Sequence, residues 1–464
     1  MFRSPITRLL ILFVCGFVLA CGSLAAQIAP PASKQMQLQF VVYLTRHGVR
    51  SPTGDPGRYA KYSRAAWPQW DVPPGYLTAH GFEDMKLFGA WDRSQLAQEG
   101  LLTATGCADS TQAWFYADSD QRTRESGRAL AEGIFPGCPP PVHGLPQGTP
   151  DILFHPEHRA ADNLRAAPAA DASTESSGET FKLDAELQLL ARQYRPQTMQ
   201  MDRILANCGT PSSSQHRRVS LFDIPATPQP NKGGHDDDLR GLIGTAATLS
   251  ENFLLEYTQD MPMAEVGWGC VSRSNLNSLI AIHNAASDYE HRVPSVARRD
   301  ASGLLNSIRA AMQQAVTGQP VAGAPNPPGE HALFLVGHDT NLTTLAALLH
   351  LTWTAGGRHD DTAPGSALVF ELWRSGVSGK YFVRVLFTAQ TLDQLRNATP
   401  LTPTHPPLRV PVKIDACSRT GSSTCSWPVF AQITGRAIDP DYVNLAEDTN
   451  GSSSSTFVPQ SGSR

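Results

Sequence analysis

Two apolar segments, far apart in the chain, each end in a histidine. Residues 37–45 are rich in β-forming side chains and lead into Arg46-His47-Gly48, and residues 332–336 lead into Gly337-His338-Asp339. Short apolar runs of this kind, bounded by glycine, are typical of buried strands. In an open α/β sheet, ligands bind beyond the carboxyl ends of the strands, where a following helix N-terminus favours an anion. The sequence therefore predicts an α/β fold with both histidines at one anion-binding edge.

A third short strand and several arginines extend this pattern. Residues 114–117 form the strand and Arg122 follows it, while Arg46 and Arg50 flank His47. Three arginines that converge on one volume repel each other unless a multiply charged anion lies between them. The planar guanidinium group matches the spacing of phosphate oxygens. The expected ligand is therefore a phosphate group.

The same residue types suit hydrolysis of a phosphate ester. A neutral imidazole attacks phosphorus, and surrounding cations offset the charge on the phosphoryl group during its transfer. We therefore predict His47 as the nucleophile and Asp339 as the proton donor, with Asp339 later acting as the base toward water. The arginines and His338 supply the positive charge, so no metal or cofactor is expected.

Each of these residues also has a simpler interpretation. Arg-His-Gly is a common tripeptide, and Arg46 or Arg50 could form surface ion pairs. His338-Asp339 could be an ordinary helix cap, because aspartate favours such positions. The repeated placement after buried strands, together with the full R-H-G-x-R-x-P pattern of residues 46–52, favours the functional interpretation.

The organisation of the chain indicates a large domain with an insertion. Composition changes between about residues 138 and 239, where Pro, Gly, Ser and Gln dominate, and an exposed turn is expected at 231–238. Hydrophobic periodicity predicts helices near residues 77–99, 183–194, 246–257, 275–285, 302–316 and 339–349. The predicted division is a leader at 1–26, a large α/β domain at 27–145 and 291–440, a mainly helical insert at 146–290, and a disordered tail at 441–464.

The N-terminus predicts export. Arg3 and Arg8 precede a single apolar run, which is followed by small residues, the order of a secretory signal peptide. The run is shorter than the roughly 20 residues of a transmembrane helix. Two alternatives stay open, a lipoprotein anchored at Cys21 and a buried N-terminal helix. The net charge of −4 excludes a broad basic surface for nucleic acid.

Six of the eight cysteines lie beyond the predicted leader. An even number in an exported protein indicates three disulfides, and no pair has the spacing of a zinc site. Closeness in sequence favours a bond between Cys417 and Cys425. The other pairings are left open by the cysteines alone.

The motifs at residues 46–52 and 337–341 resemble those of the histidine acid phosphatase family, in particular its bacterial periplasmic phytase branch. The resemblance covers about residues 38–439 and fades between about 155 and 239. It implies a mixed-sheet, phosphoglycerate-mutase-like large domain, with the active site between this domain and a smaller, mainly α-helical one. It also implies a monomer that acts on a small phosphate ester, either an inositol phosphate or a sugar phosphate.

The resemblance carries over residue by residue. It implies His47 as the phosphorylated nucleophile, Asp339 as the acid, and a phosphate clamp of Arg46, Arg50, Arg122 and His338. It implies pocket positions for Thr53, Asp118 and Glu251, although Asp118 could instead only orient an arginine and Glu251 could be a solvated helix residue. It suggests the disulfides Cys107–Cys138 and Cys417–Cys425, and Cys208–Cys270 then follows by elimination.

Departures from the family pattern bear on the substrate. Gly54 stands where related phytases carry a lysine, and Ser366-Ala367 stands where they show Gly-Glu. Gly48 and Thr340 differ from the motifs of the glucose-1-phosphatase branch. The function expected is an exported acid phosphatase whose substrates include phytate. The alternatives are a glucose-1-phosphatase or broad acid phosphatase, a phosphomutase, and a non-catalytic periplasmic binder of phosphate esters. A membrane partner is expected only if Cys21 is lipidated.

Overall fold

The computed structural model describes residues 36–54, 56–156, 176–211, 218–226, 241–415, 417 and 424–447. The predicted leader, the turn at 231–238 and most of the predicted tail lie outside these residues. The strands are β1 Met36–Arg46, β2 Ala113–Ala117, β3 Val142–His143, β4 Ala332–Gly337, β5 Thr354–Ala355, β6 Arg358–His359, β7 Ala367–Ser375, β8 Tyr381–Ala389, β9 Leu408–Val412 and β10 Thr424–Ser426. The α-helices are α1 Pro56–Ala60, α2 Ala79–Gln98, α3 Gln121–Ile134, α4 Ser176–Gln193, α5 Arg195–Asn207, α6 Leu242–Thr258, α7 Arg273–His291, α8 Pro294–Thr317, α9 Asp339–Leu348, α10 Leu392–Arg396, α11 Trp427–Ala437 and α12 Pro440–Glu447.

The central sheet is mixed. Its strand order is β10-β8-β7-β1-β4-β2-β3, with β9 paired to β8. Strands β1, β4, β2 and β3 run parallel, whereas β7 is antiparallel to β1 and begins the antiparallel half. The mixed α/β sheet predicted from the sequence is therefore present.

Both faces of the sheet are covered by helices. Alternate residues of a strand point to opposite faces, and in β1 Phe40, Val42 and Leu44 pack with helices α8 and α9. Val41 and Tyr43 belong to the core on the other face, which contains residues of α2 and α3. Because each of these β1 side chains is at most 6% exposed, β1 is fixed between two apolar layers.

A separate core lies among the helices. Helices α5, α6 and α7 contribute Met201, Phe253 and Leu279, all buried. This core also includes Tyr59 and Trp67, which precede the helical segment in sequence. The helical part therefore packs on residues of the first α/β segment, and the predicted domain boundaries stay a prediction.

Sequence reasoning missed several helices, among them α5, α10, α11 and α12, and α12 overlaps the start of the tail that was predicted to be disordered. The predicted helix near residues 183–194 corresponds to α4, but α5 follows it after a single residue. Pro196 lies in the first turn of α5, where proline's missing N–H has no helical partner to lose. The proline therefore begins a helix, although in the sequence it resembles the end of one.

Three disulfides are present, Cys107–Cys138, Cys208–Cys270 and Cys417–Cys425. The two pairings implied by the family resemblance and the third reached by elimination are confirmed. Within the described part of the chain, no helix combines the length and the apolar character needed to cross a membrane.

Candidate active site

The register of the parallel strands brings the sequence motifs together. Arg46 of β1 is paired with Gly337 of β4, and Ala117 of β2 is paired with Val336 of β4. His47 and Asp118 follow these paired residues, and their amides donate to the carbonyls of Gly337 and Val336, each at 3.0 Å. The predicted meeting of these three strand ends is found.

The His47 ring is buried, at 2% exposure. Its Nδ1 lies 2.8 Å from the carbonyl oxygen of Gly48. Because a carbonyl only accepts, Nδ1 carries the hydrogen in the neutral ring and Nε2 keeps its lone pair. A Cβ on Gly48 would lie 2.7 Å from Met85 Cγ and 2.9 Å from the Gly81 carbonyl, so this position requires glycine.

Positive charge surrounds the His47 ring. Burial lowers the pKa of His47, and the charges of Arg122, Arg46 and Arg50, followed by that of His338, lower this pKa further. The imidazole therefore stays neutral into the acidic range, which is the form that can act as a nucleophile.

The arginines are held by carboxylates and carbonyls. Arg46 donates to the Thr362 carbonyl at 2.6 Å and to Glu251 Oε1 at 2.5 Å, and its Nη2 lies 3.0 Å from Asp339 Oδ2. Arg50 Nη2 lies 3.2 Å from the same Glu251 oxygen. These contacts fix the guanidinium planes before any ligand binds.

The third arginine lies on the other side of the site. Arg122, near the start of α3, pairs with Asp120 at 2.6 Å, and its Nη2 lies 3.4 Å from His338 Nδ1. The buried Nε donors of Arg46, Arg50 and Arg122 all lack a hydrogen-bond partner among the described residues. A buried donor without a partner destabilises the protein. The three unpaired Nε donors therefore favour binding of an anion.

Two carboxylates face the arginines. Burial raises the pKa of Asp339, but Arg46, then His283, His47 and Arg50, lower it by more, and the net pKa lies well below the usual range. The pKa of Glu251 is lowered to about 2, because the charges of Arg50 and Arg46 outweigh the raising effect of burial. Glu251, with a side chain only 12% exposed, is therefore an ion-pair partner within the site rather than a solvated helix residue.

Asp118 contacts histidines. Its Oδ2 lies 2.6 Å from His338 Nε2 and 3.0 Å from His155 Nε2. These hydrogen bonds outweigh burial, which raises the Asp118 pKa, and hold that pKa well below its ordinary value. Because these hydrogen-bond partners are histidines, Asp118 does more than orient an arginine.

Thr53 lies at the rim and is exposed. A Cβ placed on Gly75 would be 3.5 Å from Thr53 Cγ2 and 3.7 Å from Arg122 Nη1, so Thr53 and Arg122 both lie close to Gly75. The structure thus brings every sequence-predicted site residue to one region.

Sequence reasoning missed two histidines of this region. His155 follows a proline-rich segment, and no motif marks it. His283 lies within α7, and its ring nitrogen is within 4.8 Å of carboxylate oxygens of Glu251 and Asp339. Neither residue is adjacent in sequence to the residues it approaches, so only the tertiary fold reveals it.

A mixed α/β sheet whose edge gathers a neutral histidine, three arginines and a carboxylate is typical of an enzyme of phosphoryl transfer. The chain belongs to the histidine phosphatase superfamily (branch 2), whose family model matches residues 37–388. It is a phosphoric monoester hydrolase, and the family predicted from its motifs is confirmed.

Curated relatives and solved structures agree with this assignment. The chain is 35% identical to the phytase AppA of Escherichia coli over 424 residues, covering 88% of this chain and 93% of that protein. It is 28% identical to the glucose-1-phosphatase of Salmonella typhimurium over 436 residues, covering 92% and 98%. The Hafnia alvei phytase in complex with myo-inositol hexakis sulphate aligns with a TM-score of 0.74 at 31% identity, covering 89% of this chain and 99% of that one.

Proposed function

We propose that His47 is the nucleophile and Asp339 the proton donor of a two-step hydrolysis. In the first step, His47 Nε2 attacks phosphorus, the ester P–O bond breaks, and the leaving oxygen takes the proton of Asp339. In the second, water attacks the phosphohistidine and gives a proton to the Asp339 carboxylate. Inorganic phosphate leaves, and Nε2 regains its lone pair.

One observation carries this proposal. The hydrogen bond from His47 Nδ1 to the Gly48 carbonyl, at 2.8 Å, leaves Nε2 as the nucleophilic atom. The surrounding arginines lower the His47 pKa and so keep the ring neutral at acidic pH.

The phosphate clamp consists of Arg46, Arg50, Arg122 and His338. The charges of the three arginines offset the charge of the phosphoryl group as it is transferred, and His338 adds a hydrogen-bond donor, so the chemistry needs no metal. The unpaired Nε donors of the three arginines support binding of an anion with several oxygens.

Asp339 must carry a proton when the leaving group departs. In the free protein the Arg46 charge lowers its pKa. A bound phosphate dianion offsets that positive charge, so we expect the pKa of Asp339 to rise in the substrate complex. Asp339 therefore gains its proton in the same complex in which it must donate that proton.

The substrate class proposed is inositol phosphates, including phytate. The names of the E. coli and Hafnia alvei relatives support this choice. A broad acid phosphatase is the second candidate, and Gly54 favours it, because a Cβ there would lie 2.7 Å from Tyr59 Oη. A lysine at position 54 would therefore require Tyr59 to move. With Gly54 in its place, the chain lacks at this position the cation that related phytases carry.

Ser366, which stands where related phytases show glycine, does not line the substrate pocket. Ser366 is fully buried, and its carbonyl accepts the Arg46 amide at 2.8 Å. Its side chain is therefore part of the interior beneath the site and not of the substrate-facing surface. Of these two departures from the family pattern, only Gly54 therefore bears on the substrate.

Comparison of kcat/KM for phytate, glucose 1-phosphate and p-nitrophenyl phosphate at acidic pH tests the substrate class. The proposal expects phytate to be the best of the three. A preference for glucose 1-phosphate, or equal values for all three, would contradict it. His47→Ala provides the inactive control.

We also propose that the protein is exported and monomeric. The three disulfides support an oxidising compartment. N-terminal sequencing of the mature protein tests export, since cleavage after Ala25 or Ala26 is expected. A mature chain that begins with lipidated Cys21 would instead place the protein on a membrane.

A further inference from the structure

A second group of donor atoms lies beside the phosphate clamp. Asp118 Oδ2, His155 Nε2 and His338 Nε2 lie within 3.2 Å of one another, at 2.6, 3.0 and 3.2 Å. We propose that these three side chains bind a divalent transition-metal ion of the Zn²⁺ type.

The distances fit such an ion. Ligand atoms at roughly 2.0–2.1 Å from a tetrahedral Zn²⁺ lie about 3.3 Å from one another. Two of the observed separations are shorter by about 0.1 and about 0.3 Å and the Asp118–His338 separation by about 0.7 Å, so these two side chains must move apart to admit the ion. Asp120 Oδ2, at 3.8 Å from His338 Nε2, is close enough to supply a fourth ligand. Two imidazoles and a carboxylate suit Zn²⁺ better than Mg²⁺ or Ca²⁺.

The hydrogen bonding of Asp118 supports the same conclusion independently. Asp118 is fully buried, and its Oδ1 has no hydrogen-bond partner among the residues that the structure describes. Its other oxygen, Oδ2, lies within hydrogen-bond distance of two imidazole nitrogens that are only 3.2 Å apart. If both nitrogens carry hydrogen, these two N–H groups crowd each other, whereas an ion accepts a lone pair from each nitrogen and from the carboxylate.

His155 is held in place by the fold. Its amide donates to the Asp151 carbonyl at 2.8 Å, and the Asp151 carboxylate accepts from Tyr116 of β2 at 2.9 Å. The carbonyl of Phe154 accepts from Asn341 of α9 at 2.8 Å. Contacts to a strand and a helix of the sheet domain therefore position this ligand before an ion binds.

The ion would be coupled to phosphate through His338. An ion on Nε2 leaves Nδ1 as the hydrogen-bearing nitrogen, and because Arg122 Nη2, 3.4 Å away, is also a donor, the two groups are then best satisfied by a shared acceptor such as a phosphate oxygen. The ion also adds positive charge next to the clamp. We therefore expect phosphate to bind more tightly when Zn²⁺ is present, a consequence that rests on the proposed clamp.

Cobalt provides a direct readout that does not depend on phosphatase activity. Co²⁺ is added to the full-length protein with its disulfides intact, and visible absorption is followed for the wild type, His155→Asn, His359→Asn and His283→Asn. These two histidines belong to other groups of possible metal ligands. His359 lies with Asp288 and Asp360, and His283 lies with Glu251 and Asp339. Circular dichroism checks that each variant is folded.

The proposal expects an intense tetrahedral Co²⁺ band at one equivalent, which Zn²⁺ abolishes. The band should be lost in His155→Asn and retained in the other two variants. A band that survives in His155→Asn, or that is lost in His359→Asn or His283→Asn instead, would overturn the site. The absence of any band and of measurable Zn²⁺ binding in the wild type would overturn it as well.

Phosphate binding tests the coupling separately. The inhibition constant of inorganic phosphate should fall at least about fivefold when Zn²⁺ is added to the wild type, and should not change in His155→Asn. If Co²⁺ binds as expected but phosphate affinity is unaltered, the ion site stands and the coupling of the ion to phosphate through His338 is wrong. The two failures are therefore distinguishable.

Discussion

The Asp339 carboxylate lies 3.0 Å from the Nη2 atom of Arg46, which is itself buried at the end of strand β1. The same guanidinium group donates to Glu251 of helix α6. One arginine thus connects the proposed acid on the sheet domain to a carboxylate of the helical part. The proton affinity of Asp339 therefore depends on whether a phosphate group offsets the charge of this arginine.

The first prediction concerns Asp339→Asn. Asparagine cannot donate a proton to the leaving oxygen, so esters with poor leaving groups should react about 10²–10⁴-fold more slowly. Formation of the phosphoenzyme from p-nitrophenyl phosphate should be much less affected, because nitrophenolate needs little protonation. A burst of nitrophenolate measured by stopped flow checks this, and equal losses on good and poor leaving groups would exclude Asp339 as the acid.

The second prediction concerns the acidic limb of the pH profile. Arg122 is the charge that most lowers the His47 pKa after burial. Removing this positive charge in Arg122→Ala favours the protonated ring, so the His47 pKa rises and the acidic limb of kcat/KM moves to higher pH. The pH dependence of kcat/KM reports this group in the free enzyme.

Arg128→Ala is the matched control for this experiment. Arg128 lies on the same helix, α3, but pairs with Glu125 and Glu132 and is not among the charges that act on His47. Its acidic limb should coincide with that of the wild type. Equal shifts in the two variants, or no shift in Arg122→Ala, would show that Arg122 does not set the protonation of the nucleophile.

Much of the site follows from the sequence because strand register aligns the ends of parallel strands. Once residues 37–45 and 332–336 are recognised as buried strands, His47 and His338 must lie near the same edge. His155 and His283 have no such signal, since the loop and the helix that carry them are brought to the site by distant packing. The start of α5 was missed because Pro196 is compatible with both a helix end and a helix beginning.

The third prediction concerns stability above neutral pH. Burial raises the pKa of Asp84 to about 9 and that of Asp92 to about 8. At pH 7 each is mostly neutral when folded and ionised when unfolded, so the stability it gives is fully present below the unfolded pKa and is lost as pH rises through the folded pKa. The free energy of unfolding should therefore fall between pH 7 and pH 8.5, by on the order of 1 kcal/mol per pH unit.

The range above pH 7 is chosen because the buried histidines are then largely neutral in both states. Denaturant unfolding of Asp84→Asn should show a smaller fall, since the amide does not ionise. The exposed Asp71→Asn should retain the wild-type slope. If all three proteins lose stability equally with pH, ionisation of Asp84 does not contribute to it.

The fourth prediction compares two disulfides. Cys107–Cys138 joins residues 31 apart and encloses the strand and helix that position Arg122, whereas Cys417–Cys425 joins residues only 8 apart. In the chain-entropy model these bonds stabilise by about 3.7 and about 2.5 kcal/mol. The double change to serine should therefore cost more stability at the first pair.

Only loss of Cys107–Cys138 should also weaken inhibition by phosphate, because the loop it closes carries Arg122. Thermal unfolding and phosphate inhibition, measured for both double variants, check this. Weaker inhibition in the Cys417→Ser, Cys425→Ser protein alone would contradict the proposed link between this bond and the clamp.

The covalent intermediate is the central claim. Wild-type enzyme is mixed with phytate or p-nitrophenyl phosphate, quenched in alkali within one turnover, and digested for mass spectrometry. The account predicts phosphate on the peptide that contains His47, attached at Nε2 because Nδ1 is held by the Gly48 carbonyl. No phosphorylated peptide should form in His47→Ala. Phosphate attached to His338 or His155, or a phosphorylated peptide from His47→Ala during turnover, would contradict the mechanism.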